Sequence, residues 1–560
     1  MQNKYNKRIA YFCMEYGLDQ KLPLYAGGLG ILAGDYLKAA NEINAPIVGI
    51  GILWWQDYTK QLINEDGYPY DTYPIHNFDF LEDTGKSVSV QIGGEDVQVK
   101  IYKTNQFKNK DLYLLDTGKP GSKYGWITDK LYSGNNYNRV AQEMVLGIGG
   151  IKALRELNIE VDIYHFNEGH ATFAGFELIK EKMNNEGISF DEALEKTKNE
   201  IVFTTHTPVS AGNEVHDLHL LMEIGANNSL TYQQLKRLGG EPFNMTASCL
   251  HMSSIANGVS ELHGKTAKNM WKHLKDSAPI ISITNGVHKN TWQNSLIRDT
   301  FMEKGDIWEA HQQVKRELIN YVSQKTDANM NPDNIIIGFA RRAAPYKRSE
   351  LIFRDTSKIE DLLRNGKIQL LFSGKAHPND RFGKDIVASL VKMDRKYKDS
   401  VAFLENYDME IARYLVQGVD IWLNNPKRPL EASGTSGMKA SMNGVLNLSV
   451  LDGWVAEAPI HGESGWILDN VFPSLDERLS EDEKDLQALY KILREEVIPI
   501  YYDDKSRWIK MMEKSIEMSQ NKFSSVRMLV DYYKRMYTHN KKQYNYKHDK
   551  VDSKNLITIE

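Results

Sequence analysis

Short apolar runs recur along this chain, separated by stretches long enough for a helix, and that alternation is the strongest constraint on its fold. IAYFCMEY (9–16), APIVGIGI (45–52), VDIYHF (161–166), IVFTTH (201–206) and APIISIT (278–284) are rich in β-branched and aromatic residues and carry few charges. A strand apolar on both faces is one covered on both faces, which is how the strands of a helix-flanked parallel sheet read. Helix-compatible stretches such as ILAGDYLKAANEI (31–43) and AQEMVLGIGGIKALREL (141–157) lie between them. A helical stretch, DIWEAHQQVKRELINYVSQK, then runs into the polar TDANMNPDN (326–334), after which IIIGFA (335–340), IQLLFSG (368–374), VAFLEN (401–406) and VDIWLN (419–424) resume the pattern. The pattern predicts two doubly wound α/β domains, residues 1–325 and 326–505. The length of 560 residues, too great for one hydrophobic core, agrees. In the last segment, 506–560, Val526, Leu529, Val530, Tyr533, Met536 and Tyr537 follow helical spacing behind Ser524 or Ser525 as N-cap, and a polar tail begins near Thr538.

Composition narrows the partners. Sixty-nine basic against 74 acidic residues give a formal charge of −5, so no global field draws the chain to nucleic acid or to an acidic membrane. No apolar run is long enough to cross a bilayer. The start, MQNKYNKRIAYFCMEYG, lacks a long apolar core and a cleavage site, and the two cysteines, Cys13 and Cys249, form no metal-spacing motif, so a reducing cytoplasm is the expected setting.

Two domains of this kind meet at the carboxyl ends of their strands, and the chemically suggestive stretches fall there. LYAGGLGILAGD (24–35), FNEGH (166–170), TTHTP (204–208) and TNGVH (284–288) follow strands of the first half; ARRAAPYKR (340–348), SGKAHP (373–378) and EASGTSGMKASMNG (431–444) follow strands of the second. Each has a plain structural reading. Gly27-Gly28-Leu29-Gly30 serves as a helix-capping turn, His206 as a hydrogen-bonded core histidine, Arg341, Arg342, Lys347 and Arg348 as a solvated face, and Glu431 as an acid near a helix start. Their convergence on one cleft favours a site for two anions, because glycine turns at helix starts present N–H groups and the cations add charge. Glycoside hydrolysis would need a matched carboxylate pair, and only Glu431 and Glu168 stand out. HExxH, CxxC and the phosphate loop GxxxxGK[ST] are absent, and no metal is expected. Lys439, just beyond the Ser433–Gly437 turn, suits covalent attachment of an aldehyde.

EASGTSGMKASMNG resembles the pyridoxal-phosphate lysine signature of the α-glucan phosphorylases, and YAGGLGILAGD, TTHTP, TNGVH and ARRAAPYKR resemble that family's glycine turn, substrate histidine, asparagine turn and phosphate segment. The start of the chain is most similar to the short bacterial and archaeal branch. The resemblance implies a GT-B fold, with two Rossmann-like domains, a deep cleft and a C-terminal helix crossing back. It implies phosphorolysis of α-1,4-glucans to α-glucose 1-phosphate with retention. It implies pyridoxal 5′-phosphate on Lys439, its phosphate near Thr435, Ser436, Gly28 and Arg341, and assistance to proton transfer by that phosphate. Arg342 and Lys347 would bind the substrate phosphate; Glu431, Ser433 and Gly434 would bind sugar hydroxyls; His206 and Asn285 would neighbour the 6-hydroxymethyl, with Gly27 on the substrate side. Arg341 stands where many members carry lysine, Pro345 where the animal enzymes carry an acid, and Ser436-Gly437 where they carry Gly-Asn. The chain is also shorter than typical members, which implies loss of an N-terminal region. A sugar-nucleotide-dependent glucosyltransferase of the same fold and a silent glucan-binding protein stay open as alternatives, as does a homo-oligomer.

Overall fold

The computed structural model describes residues 5–209 and 212–538. A nine-stranded sheet dominates the first half. From one edge its parallel strands run Ile280–Ser282, Ile255–Gly258, Ile201–Thr204, Ile163–Asn167, Ile9–Phe12, Ile47–Ile52 and Leu112–Asp116, and Glu95–Thr104 and Glu82–Ile92 continue it antiparallel. Ile9 pairs with Ile47 on one side and Ile163 on the other, so the chain winds away from Ile9–Phe12 in both directions and leaves a crevice at its carboxyl end. The second sheet has six parallel strands, in the order Val401–Leu404, Ile368–Ser373, Ile335–Ala340, Ile421–Asn424, Leu446–Ser449 and Gly465–Ile467. Counted along the chain this is 3-2-1-4-5-6, the doubly wound order, whose crevice lies beyond Ala340 and Asn424.

The central strands are buried throughout, because Ile, Val and Phe on both faces meet helices on both faces. Each sheet has its own apolar cluster, and a third joins Ile31, Val287 and Trp292 of the first half to Leu371, Trp422 and Met438 of the second. The final helix, Ser525–Tyr532, is capped by Ser524, whose side chain accepts from the Arg527 N–H. Its Met528, Leu529 and Tyr532 join the core of the first sheet. Tyr537 Oη lies 2.5 Å from Tyr36 Oη and 2.6 Å from His165 Nδ1, all buried. The tail from 539 onward lies outside the described residues.

The apolar runs at 9–16 and 201–206 are strands only to Phe12 and Thr204, after which the chain bends and delivers Glu15 and His206 to the crevice. The 141–157 helix is two, Asn136–Met144 and Gly150–Glu156, joined by a widened turn. Several strands were not legible as such, among them Leu112–Asp116 and Gly465–Ile467. Glu82–Ile92 and Glu95–Thr104 form an edge hairpin that alternates buried Val and Ile with exposed charged and polar residues, reversed at Gly93-Gly94, both with positive φ (60° and 81°). Ile255–Gly258 and Leu446–Ser449 contain Asn and Gly or Ser, and they count as strands because both faces are covered.

Candidate active site

Lys439 sits in the short helix Thr435–Ser441, entered from Gly434 at φ +81°. The helix lies so close to the following strand that a Cβ on Gly437 would stand 2.4 Å from Asn447 Oδ1 and 2.9 Å from Trp454. That close approach buries Lys439. Its Nζ lies 3.5 Å from the centroid of the Trp292 ring and makes no hydrogen bond or ion pair among the described residues. Desolvation pushes its pKa down to about 8, against the attraction of Asp35 and with the repulsion of Lys38. An amine in that state is partly neutral near physiological pH and is nucleophilic. Trp292 is held in place by Asp35, whose two carboxylate oxygens accept its Nε1–H at 3.0 and 2.9 Å.

Across from this helix, Gly28–Glu42 begins with no side-chain cap and no acidic residue in its first turn. A Cβ on Gly27 or Gly28 would meet nothing within 4 Å, so this helix start faces open space. Glu15 shapes the turn by accepting the N–H groups of Ala26 and Gly27 at 2.7 and 3.1 Å. Thr435 and Ser436 occupy the first turn of the Lys439 helix, and Ser436 Oγ accepts from Trp422 Nε1 at 3.1 Å.

The cationic segment leaves the strand Ile335–Ala340. Arg341 and Lys347 both donate to Glu431 Oε2, Lys347 at 2.6 Å. Burial alone would raise the Glu431 pKa, but the two cations outweigh it and hold the carboxyl down to about 2. The sequence reading paired Arg342 with Lys347 on one anion. In the structure Lys347 is paired with Arg341 through Glu431, because the 3-10 turn Pro345–Lys347 folds Lys347 inward. Arg342 is exposed and makes no ion pair among the described residues. Ser433 Oγ, Asn285 Oδ1 and Arg341 Nε are buried without a hydrogen-bond partner among the described residues. Such groups carry a desolvation cost until something fills the space beside them.

On the first-sheet side, His206 Nε2 lies 2.6 Å from Asn167 Oδ1, and the Asn167 amide donates to Cys13 Sγ at 3.2 Å. With Nδ2 committed to sulfur, Asn167 Oδ1 accepts, so His206 carries its proton on Nε2 and presents Nδ1 as an acceptor. Desolvation and the nearby His263 and His170 push its pKa down to about 3, so the imidazole is neutral. Glu168 takes φ +77°, a strained value for a non-glycine residue, and accepts the His206 N–H at 2.8 Å. Asn285 is anchored from the far end of the chain, since Arg527 donates to its carbonyl at 2.9 Å.

Sequence reading missed Trp292, Asp35 and Asn167. Nothing in their spacing marks them; they matter only by standing against Lys439 and His206. Nearby, Glu143, Glu214 and His216 approach one another closely enough to suggest a metal. Arg139 donates to both oxygens of Glu214, at 2.7 and 2.9 Å, and His216 Nε2 lies 2.9 Å from Glu143, while Glu143 Oε1, His216 Nδ1 and Arg139 NH1 stay buried without a hydrogen-bond partner among the described residues.

The carbohydrate phosphorylase family model matches residues 295–472. A maltodextrin phosphorylase of Thermococcus litoralis is 39% identical to this chain, over 96% of this chain and 71% of the relative. A glycogen phosphorylase of Aquifex aeolicus is 34% identical, over 96% and 87%. An uncharacterized protein of Methanocaldococcus jannaschii is 36% identical over 95% of this chain and its own full length. Identity at this level, carried across nearly the whole length and both sheets, places the chain in the carbohydrate phosphorylase family.

Proposed function

We propose that the protein cleaves α-1,4-glucans with inorganic phosphate, releasing α-glucose 1-phosphate, and that it holds pyridoxal 5′-phosphate on Lys439. The observation that carries this reading is the environment of Lys439: a buried amine over the Trp292 ring, with no hydrogen bond or ion pair among the described residues and a pKa pushed down to about 8. The open helix start at Gly27 and Gly28 and the cations Arg341, Arg342 and Lys347 supply room and charge for two phosphates. The residues fit the cofactor. Lys439 would hold it, Thr435, Ser436, Gly28 and Arg341 would hold its phosphate, and Trp292 would lie against it. When bound, the cofactor supplies a phosphate group able to exchange a proton with the substrate phosphate.

The chain's own residues account for the rest. Glu431, held anionic by Arg341 and Lys347, is a strong acceptor for sugar hydroxyls and a poor general acid at neutral pH. Ser433 Oγ and Asn285 Oδ1, buried and unpartnered among the described residues, would gain hydrogen bonds when the sugar enters, with Gly434 beside Ser433 in the same turn and Gly27 leaving room on the other side. His206 Nδ1 accepts a further sugar hydroxyl and, being neutral, does not change charge in the working pH range. Arg342, which makes no ion pair among the described residues and has the Tyr346 hydroxyl beside it, and Lys347 would bind the attacking phosphate. The fold proposed with this function is GT-B, with Rossmann-like domains at 1–325 and 326–505 and a last segment, 506–560, whose helix Ser525–Tyr532 packs on the first sheet.

The test is the product. Glucan with phosphate should give α-glucose 1-phosphate, and the purified protein should show a near-ultraviolet or visible cofactor band removed by borohydride. Release of free sugar at the same rate without phosphate would overturn the reading, and turnover of a sugar nucleotide without that band would point to the glucosyltransferase.

A further inference from the structure

Two loops carry the charges that meet at the site. The loop after Ala340 carries Lys347, and the loop after Asn424 carries Glu431. Apart from the 3-10 turn Pro345–Lys347 both are irregular up to these residues, yet Lys347 Nζ reaches Glu431 Oε2 at 2.6 Å. Behind them lies Asp485, fully buried in the helix Glu481–Ile492. Its carboxylate accepts from Arg348 NH2 at 2.5 Å and from Arg428 NH1 and NH2 at 3.0 and 2.8 Å. Arg348 is the residue next to Lys347, and Arg428 lies in the loop leading to Glu431. The Arg348 guanidinium also donates to the carbonyls of Asn425 and Pro426, at 2.7 and 2.9 Å, and so clasps the second loop directly.

We propose that Asp485 is a positioning residue for phosphate recognition, tying Arg348 and Arg428 to one buried carboxylate so that Lys347 is delivered onto Glu431. Two guanidinium groups on neighbouring loops repel each other. A shared carboxylate turns that repulsion into a joint, and the planar fork of each arginine fixes direction as well as distance. The left-handed backbone of Arg348, φ +53°, fits this picture, since a strained residue persists only where its surroundings over-determine it. Arg348 also pairs with Asp482 at 2.9 Å, and Arg428 with Asp469 and Glu481 at 2.8 and 2.7 Å, but of these acids only Asp485 is paired with both arginines; it touches no reacting group and acts only through them.

The proposal rests on the phosphorylase reading for its kinetic consequence, while its structural consequence is measurable without turnover. In the holoenzyme, Lys347 should be protected from an amine-acetylating reagent by its pairing, and Asp485→Asn should raise its labelling, read by mass spectrometry, at least about fivefold. Lys315, buried against Asp420 at 2.7 Å in another part of the second half, should stay unlabelled and so reports that the fold is intact. If Asp485→Asn fails to fold, Arg428→Gln opens the same joint from its partly exposed side and should give the same selective labelling. Kinetically, Asp485→Asn should raise the KM for phosphate about tenfold with the KM for glucan little changed. It should add no further loss in a Lys347→Met background, because both changes remove one effect. Unchanged Lys347 labelling in the folded variants, or losses that simply add in the double variant, would overturn the proposal. A wild-type enzyme without phosphate-dependent turnover would overturn the reading of function and leave the labelling result to decide the role of Asp485.

Discussion

At Lys439 the decisive quantity is the cost of keeping an ammonium out of water. Asp35 accepts the Trp292 indole N–H and makes no hydrogen bond to Nζ among the described residues, so burial wins and the pKa falls to about 8. Only the neutral amine attacks an aldehyde. Attachment of pyridoxal phosphate to cofactor-free enzyme should therefore accelerate as pH rises from 6 to 9, with its midpoint near 8. Asp35→Asn keeps an acceptor for Trp292 but removes the opposing charge, and should move that midpoint downward; a stopped-flow record of the cofactor band against pH reads both. Lys439→Ala should abolish the borohydride-sensitive band and all phosphorolysis. At Lys347 the effect is one of binding. A charge-assisted donor contributes about 2 kcal/mol, so Lys347→Met should lower kcat/KM for phosphate by at least about tenfold while the cofactor band survives. An unchanged phosphate dependence would return Lys347 to a purely structural partner of Glu431.

Helix starts and ends decide what the site can hold. The helix Gly28–Glu42 lacks a side-chain cap, so its first N–H groups point into the open space beside Gly27 and Gly28. Gly28→Ala separates the two readings of that turn. The backbone there is not left-handed and the new methyl meets nothing, so the cofactor-free protein should be as stable as before or up to about 1 kcal/mol more stable. If the space belongs to a phosphate, the same methyl should weaken cofactor retention, measured by dialysis and the absorbance band. Retention equal to the parent would leave the turn as a capping device only. The final helix works differently. Tyr537 satisfies Tyr36 and His165 in the core, and Arg527 satisfies the carbonyls of Thr284 and Asn285, at 2.7 and 2.9 Å. Tyr537→Phe strips two buried polar groups of their partner and should cost about 1–3 kcal/mol in urea unfolding, with the fold retained.

Over the whole molecule, the hairpin Lys60–Ile63 and Pro69–Thr72 reaches from the first half to the second. Gln61 both accepts from and donates to the Ala376 backbone, at 2.9 and 3.2 Å, and Lys384 pairs with Asp71 at 2.5 Å. Gln61→Ala should loosen this contact, reported as faster hydrogen exchange at Ala376 with the cores of both sheets unchanged. How much of this was legible follows from the range of the forces involved. Apolar runs and turn residues act locally, so the sequence alone determined the alternation of strands and helices, the break at 326–334, the Ser524 cap and the glycine turns beside the strands. The edge hairpin at 82–104 escaped because its outward residues are charged, and Ile255–Gly258 escaped because only its neighbours bury it. The resemblance supplied Lys439, Glu431 and the cationic segment as site residues, and the sequence could not say who meets whom among them. That Arg341 rather than Arg342 shares Glu431 with Lys347, that Trp292 lies under Lys439, and that Asp485 joins two loops were decided only by tertiary structure. Each is a contact between segments far apart in the chain, set by how two sheets and a returning helix pack, and no local pattern of residues encodes it.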